Sequence, residues 1–403
     1  MRILKSSFAV VERRAEHAVK FFYSHLFWHN PGFRELFPAS FEDMERQRDR
    51  LFAALTHVIA HLENEDLGPY LRDLGRDHRK FLVGPQHYAA VGSSLLAALA
   101  ETSGDAWTTQ TEKAWSEAYQ VIADSMMAGA AGSDDPPWWD AEVIRHLQYG
   151  EDIGVLTLKP EVPFPYLPGQ YTSVSSERVP TTWRTYSIGN APRPDGTVDL
   201  HVSRIDRGRL STSLVRDTQP GDVLRLAAAG GRMTLRRDGR PVSLIAAGTG
   251  WAPVRAMLEE LAEHPPDQDV RLFVVARDAA HLYDRPLIDE HAAGCDWLGV
   301  TYITPAPGRH RNQATDRLVT ALGNRGLWPD QDVYVSGPPR FINETAQLLE
   351  ELGVPPDRIF HDSVPAGGKG QGRPLGFGEW FLNRPSPHWH DPSSRAPDDG
   401  RST

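Results

Sequence analysis

Cysteine is the scarcest residue of the sequence, with Cys295 as its single example among 403 residues. One thiol cannot form an intramolecular disulfide or a thiolate metal cluster. Any metal must therefore be held by histidine, by carboxylate or by a cofactor. The shortage of cysteine also fits a reducing compartment, so we expect a cytoplasmic protein.

The sequence also lacks long apolar runs and an excess of positive charge. No apolar run approaches the roughly 18 residues that a membrane span needs, and residues 1–7 show no secretion signal. The net charge is -10 and the isoelectric point is about 5.9, which argues against binding to nucleic acid or to an anionic membrane. We therefore expect small-molecule partners, and the oligomeric state stays open.

The residue pattern changes twice along the chain, which predicts three folded domains. In residues 1–132 apolar positions recur every three or four residues, which indicates an all-α domain. Residues 138–239 contain short alternating runs between Pro-Gly turns, typical of an antiparallel β-barrel. Strands and helices alternate in residues 240–365, which predicts an α/β domain with a parallel sheet. Residues 366–403 are rich in Gly, Pro and Ser, and we expect a disordered tail there.

Two glycine turns in the last folded domain indicate a nucleotide site. One joins a predicted strand to a helix expected over residues 254–263, and the other follows a strand that ends at Ser336. Glycines let a backbone approach a pyrophosphate, and ligands of doubly wound sheets bind where strands end. One such turn alone fits a ligand-free connection equally well, but two in one sheet favour a dinucleotide. The predicted site comprises Gly248, Thr249, Gly250, Trp251, Ala252, Pro253, Gly337 and Pro338.

A tetrapeptide of the barrel, Arg184-Thr-Tyr-Ser187, has the chemistry that a flavin needs. It offers a cation for phosphate, an aromatic ring, and a hydroxyl for a ring nitrogen, although a plain strand with an exposed arginine is the alternative. Followed by Gly208-Arg-Leu-Ser211 and the two glycine turns, it resembles the ferredoxin–NADP reductase superfamily. That resemblance implies hydride transfer from a nicotinamide to FAD. The FAD residues it implies are Tyr171, Arg184, Thr185, Tyr186, Ser187, Gly208, Leu210 and Ser211.

The sequence departs from that superfamily at two positions. Ser336 stands where a cysteine is usual before Gly-Pro, and no aromatic residue stands at the flavin-covering position within residues 361–365. The run from Ala276 to Asp278 also resembles the superfamily. Its cation, Arg277, does not choose between NADH and NADPH, because one cation beside a ribose can be structural.

The first domain resembles the globin domain of flavohaemoglobins, most clearly over residues 22–37. The resemblance implies haem b, with His78 as the iron ligand and Tyr88 ten residues later on the same side. It places Tyr23, Gln47 and Leu51 on the opposite, distal side, and Phe37 against the porphyrin. Taken alone, His78 is one of 16 histidines and Tyr23 reads as a core aromatic.

The family also has a glutamate near the end of the last globin helix, and Gly132 occupies that position here. A carboxylate bonded to the ligand histidine raises the basicity of the imidazole, so we expect weaker peroxide-like chemistry without it. The family implies a nitric oxide dioxygenase, which turns nitric oxide and dioxygen into nitrate with electrons from NAD(P)H through FAD. The alternatives are a reductase of another acceptor and a gas-binding sensor or store.

Overall fold

The computed structural model describes most of the chain, including every predicted site residue. The described residues are 2–37, 41–65, 67–304, 317–318, 320–322 and 330–362. The predicted tail, residues 366–403, lies outside them. The predicted domain boundaries stay predictions.

Helices build the first third of the chain, as the apolar spacing predicts. Two of them begin at residues suited to a helix start: the Thr108 hydroxyl accepts the Thr111 N–H at 3.1 Å, and Pro85 starts the fifth helix. A 3₁₀ segment covers Pro31–Leu36. The helices are α1 Arg2–Glu12, α2 Ala15–His29, α3 Phe41–Ala60, α4 Leu67–His78, α5 Pro85–Ser103 and α6 Thr109–Ala131.

Two separate apolar clusters fill the helical domain. The first helical core is built mainly from α1, α2 and α5, with contributions from α3 and α6, and contains Tyr23, Leu26 and Trp115. The second helical core lies where α4 meets α6 and contains Leu71, Tyr88 and Met126, among others. Leu62 and Tyr119 pack against both clusters, so the two cores adjoin each other at these side chains.

The second part of the chain is an antiparallel sheet of six strands in the order β4-β3-β6-β1-β2-β5. Its two edge strands meet at a bridge between Ile188 and Leu200, which closes the curled sheet into a barrel. A short helix, α7 Arg209–Arg216, packs on it. The strands are β1 Trp139–Tyr149, β2 Ile153–Pro160, β3 Tyr171–Ser176, β4 Val179–Ser187, β5 Val198–Ser203 and β6 Val223–Leu226.

The third part is a parallel sheet in the order β11-β10-β7-β8-β9 with helices against it. From β7 the chain adds β8 and β9 on one side, and then returns to add β10 and β11 on the other. The reversal makes the gap between β7 and β10 the switch point where ligands of such sheets bind. The elements are β7 Val242–Ala247, α8 Trp251–Glu263, β8 Val270–Val275, α9 Arg285–Gly294, β9 Leu298–Ile303, β10 Asp332–Ser336, α10 Pro339–Glu351 and β11 Ile359–Phe360.

The predicted fold class is confirmed: a helical domain, an antiparallel barrel and a parallel α/β domain follow one another. One helix differs in its bounds, because α8 begins at Trp251 and not at Val254. Proline lacks an N–H that the first turn of a helix does not use, so Pro253 fits inside that turn. Among the described residues, no helix is both long and apolar enough to cross a membrane.

Candidate functional site

The predicted haem residues divide between the two helical cores. Tyr23 belongs to the first core, and Phe37 and Leu51 pack against it. Tyr88 belongs to the second core, against which Leu74, one turn before His78, also packs. A flat group inserted between the cores would therefore have the predicted distal residues on one face and the predicted iron ligand on the other.

Tyr23 provides a buried phenol among aromatic rings. Its side chain is 3% exposed, and its ring centre lies 5.8 Å from that of Phe27 and 5.6 Å from that of Phe37. The phenol donates a hydrogen bond to the Gln47 carbonyl oxygen at 3.5 Å. Burial raises the pKa of Tyr23, so the phenol keeps its proton and remains a donor. Gln47 thus contacts Tyr23 through its backbone.

His78 is the last residue of α4, and its imidazole is fixed by its own helix. The Nδ1–H donates to the Leu74 carbonyl oxygen at 2.7 Å, which leaves Nε2 as the nitrogen that can bind a metal. Burial lowers the pKa of His78, so the ring is neutral, as a metal ligand must be. A backbone carbonyl on the second nitrogen is the usual arrangement of a ligating histidine.

Position 132 lies beyond the crossing of α4 and α6. Gly132 ends α6, and a Cβ built on it would meet only the Ala128 carbonyl oxygen of its own helix, at 3.3 Å. One turn earlier, Gly129 packs directly on the backbone of Arg72 in α4. A side chain at 132 therefore starts outside the contact between the two helices, and only a long one would reach back toward Tyr88.

The predicted FAD residues of the barrel lie on two paired strands. Tyr171 is the register partner of Ser187, and Thr172 is the partner of Tyr186. Strand β4 meets β5 at the Ile188 bridge just beyond Ser187, and residues 184–187 before that bridge stay partly exposed, so a ligand can approach them. Burial raises the pKa of both Tyr171 and Tyr186, which keeps both phenols protonated.

A groove opens at the start of α7, next to the predicted pyrophosphate residues. It has a volume of about 590 Å³ and is lined by Arg178, Arg207 and Arg209 and by the acidic Asp217; Arg178 is already paired with Asp222 at 2.8 Å. Ser211 closes the turn itself, because its hydroxyl accepts the Ile205 N–H and donates to the Gly208 carbonyl oxygen, both at 3.1 Å.

Sequence reasoning missed part of this groove and assigned one residue differently from its packing. Arg207 and Arg209 flank Gly208, and that Arg-Gly-Arg spacing was the available signal. Arg207 also has a φ of 58°, a conformation that residues other than glycine rarely adopt outside functional turns. Leu210, by contrast, is 2% exposed and packs in the barrel core, so only its backbone is available to a ligand.

The two glycine turns of the α/β domain touch each other across the switch point. Gly248 has a φ of 57°, and Gly250 packs so tightly that a Cβ on it would lie 2.5 Å from the Gly337 nitrogen. The strands before them, β7 and β10, are paired neighbours. Both turns therefore bring backbone N–H groups to one crevice, with Pro338 capping the second helix.

Trp251 lies beneath the first turn and not in the crevice. Its ring is 1% exposed in the core of the α/β domain, and its indole N–H donates to the Asp284 carboxylate at 2.7 Å. Ala252 and Pro253 are buried with it in the first turn of α8. In this part of the predicted site, Gly248 and Thr249 are the residues with exposed surface.

A buried lysine connects the helical domain to the barrel. The Lys80 ammonium donates to Asp77 at 2.5 Å and to the Ser173 hydroxyl of β3 at 3.2 Å. The same ammonium lies 5.8 Å from the ring centre of Trp183, the residue before Arg184. The turn that follows His78 is thereby attached to the strand pair that carries the predicted flavin residues.

Comparison with known proteins agrees with this division of the chain. Residues 20–126 match the Globin family model, residues 140–235 the Oxidoreductase FAD-binding domain and residues 244–347 the Oxidoreductase NAD-binding domain. The flavohemoprotein of Chromobacterium violaceum is 31% identical over 403 residues, which cover 89% of this chain and 96% of that protein. The chain belongs to the flavohemoprotein family.

Other flavohemoproteins match along nearly their whole length. That of Bordetella parapertussis is 29% identical over 393 residues, covering 91% of this chain and 98% of that protein. A crystal structure of a flavohemoglobin from Malassezia yamatoensis, with bound FAD and heme, has the same fold, with a TM-score of 0.74 and 20% identity over 90% of this chain and 97% of that one. This flavohemoprotein is thus a globin-containing FAD and NAD oxidoreductase, with haem, FAD and a nicotinamide dinucleotide as its cofactors.

The residues present in this flavohemoprotein fit those three groups. Two separate cores with a neutral, pre-oriented His78 suit a haem. Ser213 Oγ, at the α7 groove, is buried without a hydrogen-bond partner in the described part of the chain, which suits a ligand with phosphate oxygens. The crevice at Gly248 and Gly337 suits a dinucleotide, because side chains there would block the approach of a pyrophosphate.

Proposed function

We propose that this flavohemoprotein is an NAD(P)H-dependent nitric oxide dioxygenase. Two nitric oxide and two dioxygen molecules would give two nitrate ions, while one NAD(P)H becomes NAD(P)⁺ and releases a proton. The observation that carries the proposal is the buried Tyr23 phenol, whose hydroxyl has a hydrogen bond of 3.5 Å to the Gln47 carbonyl, in the same helical domain as the pre-oriented His78. Electron supply comes from the FAD and NAD domains of the same chain.

Each haem-side residue has a distinct task in this proposal. The haem, when bound, supplies the iron at which dioxygen and nitric oxide combine. His78 Nε2 would hold that iron, while the bond from Nδ1–H to Leu74 fixes the orientation of the ring. The Tyr23 phenol, now bonded to the Gln47 carbonyl, would be the hydrogen-bond donor available on the distal side. Phe37 and Leu51, which pack against the same core, would help to exclude water there.

The reductase residues bind and orient their cofactors. The FAD pyrophosphate would lie against the N-terminus of α7 and the cations of its groove, with Ser213 as a further donor. Arg184, Tyr186 and Ser187 would hold the flavin end along the edge of β4. The nicotinamide dinucleotide would occupy the crevice of Gly248 and Gly337, beside the end of the same barrel.

Replacement of Tyr23 by phenylalanine tests the proposal. Loss of one preorganised donor to a developing negative charge costs on the order of 100-fold in rate, whereas a purely packing tyrosine tolerates a near-isosteric phenylalanine. Nitric oxide consumption and nitrate yield per NAD(P)H should fall in Tyr23→Phe, with NAD(P)H-driven reduction of the haem unchanged. Tyr70→Phe, in the helical domain beside His57, is the matched control and should keep full activity. Wild-type protein that reduces its haem but forms no nitrate would refute the dioxygenase.

Position 132 favours a second candidate, a reductase of an acceptor outside the protein. Gly132 supplies no carboxylate near the end of α6, and the Nδ1–H of His78 donates to the Leu74 carbonyl, a weaker electron donor than a carboxylate would be. In that case ferricyanide or another external acceptor would be reduced faster than nitric oxide is consumed. Comparing the two rates at the same NADH concentration decides between the candidates. A gas-binding sensor or store would show slow turnover both with nitric oxide and with the external acceptor.

A further inference from the structure

Helix α8 begins directly after the Gly248 turn, and it also contacts the segment that follows β4. Trp251 is its first residue, and Arg255 and Glu259 follow at intervals of four, so all three lie along one face. The Glu259 carboxylate accepts the Ala191 N–H at 2.9 Å. Ala191 comes four residues after Ser187, where β4 ends. One helix therefore contacts the segments that carry both reductase sites.

A fully buried carboxylate joins Arg255 to the same segment. Asp199 is 0% exposed and pairs with Arg193 at 2.8 Å and with Arg255 at 3.4 Å. Its backbone carbonyl accepts the Gly189 N–H at 2.7 Å. Glu259 also accepts a hydrogen bond from Arg255 at 3.0 Å. The two cations, Arg193 and Arg255, are therefore matched by two carboxylates where the barrel contacts the α/β domain.

A neutral histidine fixes the remaining donors of Arg255. His201 follows Asp199 by two residues on β5, and burial lowers the pKa of His201 to about 3. Its Nε2 accepts from the Arg255 guanidinium at 3.3 Å, and its Nδ1–H donates to the Tyr283 hydroxyl at 2.7 Å. Asp284, next to that tyrosine, holds the indole of Trp251. The beginning of α8 is thus held at two points.

We propose that Arg255 and Glu259 are positioning residues for hydride transfer, which fix the Gly248 turn relative to the end of β4. Neither side chain belongs to the cofactor-binding residues. They act through backbone position, and a displacement of about 1 Å between reacting groups can slow a reaction by about 100-fold. The proposal rests on the FAD and dinucleotide sites of the proposed function and not on its nitric oxide chemistry.

Glu259→Gln is the central test, and Glu260→Gln is its matched control. Glu260 is the adjacent residue of α8 and pairs at 2.8 Å with the half-exposed Arg237. Anaerobic mixing of the holoprotein with NADH separates the limiting rate of flavin reduction from the NADH concentration that gives half of it. Glu259→Gln should lower the limiting rate about 10-fold and leave the half-saturating NADH concentration nearly unchanged. The reason is that the Gly248 turn loses its position relative to β4, whereas the residues that bind NADH remain. Glu260→Gln should leave both within about twofold.

Hydrogen exchange gives a readout that needs no NADH. The Ala191 amide should exchange about 10-fold faster in Glu259→Gln and at the wild-type rate in Glu260→Gln. Faster exchange with an unchanged limiting rate would overturn the positioning role and leave a structural contact. Absence of nitrate formation alongside normal flavin reduction would refute the dioxygenase and leave this inference standing.

Discussion

Gly75→Ala should push apart the helix of His78 and the last globin helix. Gly75 lies where α4 crosses α6, and a Cβ there would overlap the Met126 carbonyl oxygen and lie 2.5 Å from its carbon. Overpacking of this kind costs about 1–3 kcal/mol, whereas alanine gains at most about 1 kcal/mol over glycine within a helix. Backbone atoms cannot rotate away as a side chain can, so we take the upper part of that cost. The net loss of stability is about 2 kcal/mol.

The same displacement should reach the haem site. His78 follows Gly75 by three residues and moves with the end of α4. We therefore expect Gly75→Ala to unfold about 6 °C below wild type in its globin domain. Haem should also be transferred faster to an apoprotein acceptor. Both are measured on the full chain, by calorimetry and by the Soret absorbance.

The control substitution lies in the same helix. A Cβ on Gly68 would meet only the flexible end of Arg72, at 3.5 Å, so Gly68→Ala should be neutral or slightly stabilising. If Gly75→Ala matched Gly68→Ala in both stability and haem transfer, the backbone-to-backbone packing of α4 on α6 would be refuted.

Three further predictions concern the other sites. His78→Ala should lose haem and retain FAD, because the iron loses its protein ligand while the barrel folds separately; normal haem content would contradict the assignment. Arg184→Ala with Ser187→Ala should deplete FAD and stop NAD(P)H-driven haem reduction, measured by absorbance at the flavin band. Because the pKa of His201 is about 3 folded and 6.5 unfolded, the unfolded chain binds more protons between these values. Urea unfolding should thus show about 2 kcal/mol lost from this group between pH 7 and pH 5, a share that His201→Gln removes.

Local patterns predicted the elements well because each element is built from local spacing. The strand β8, Val270–Val275, is apolar except for Arg271 and follows the polar Asp269, a local pattern typical of a buried strand. The bounds of α8 were predicted less well, because a proline was read as the end of a turn. The closure of the barrel through Ile188 and Leu200 has no local signal, since the two residues meet only in the folded chain.

Motif spacing predicted where site residues stand along the chain and not which way they point. Trp251 and Leu210 belong to motifs that resemble cofactor sites, yet both side chains are in cores. Arg255 and Glu259 carry no motif, and their importance appears only when β5 and α8 come together. Glycine turns are therefore recognisable from sequence, whereas residues such as Arg255 and Glu259, which contact a distant segment of the folded chain, are not.

The junction at Lys80 links the two halves of the electron path. If His78 holds the iron, the turn that begins at the next residue is attached through Lys80 to Ser173, which is the register partner of Thr185 in the flavin strand. Lys80 is 8% exposed, and a buried ammonium is kept only where partners compensate its charge, here Asp77 and the ring of Trp183. The helix that ends at His78 cannot shift without breaking these contacts. If the proposed haem and flavin sites are occupied as inferred, the distance between the two groups would depend on these Lys80 contacts.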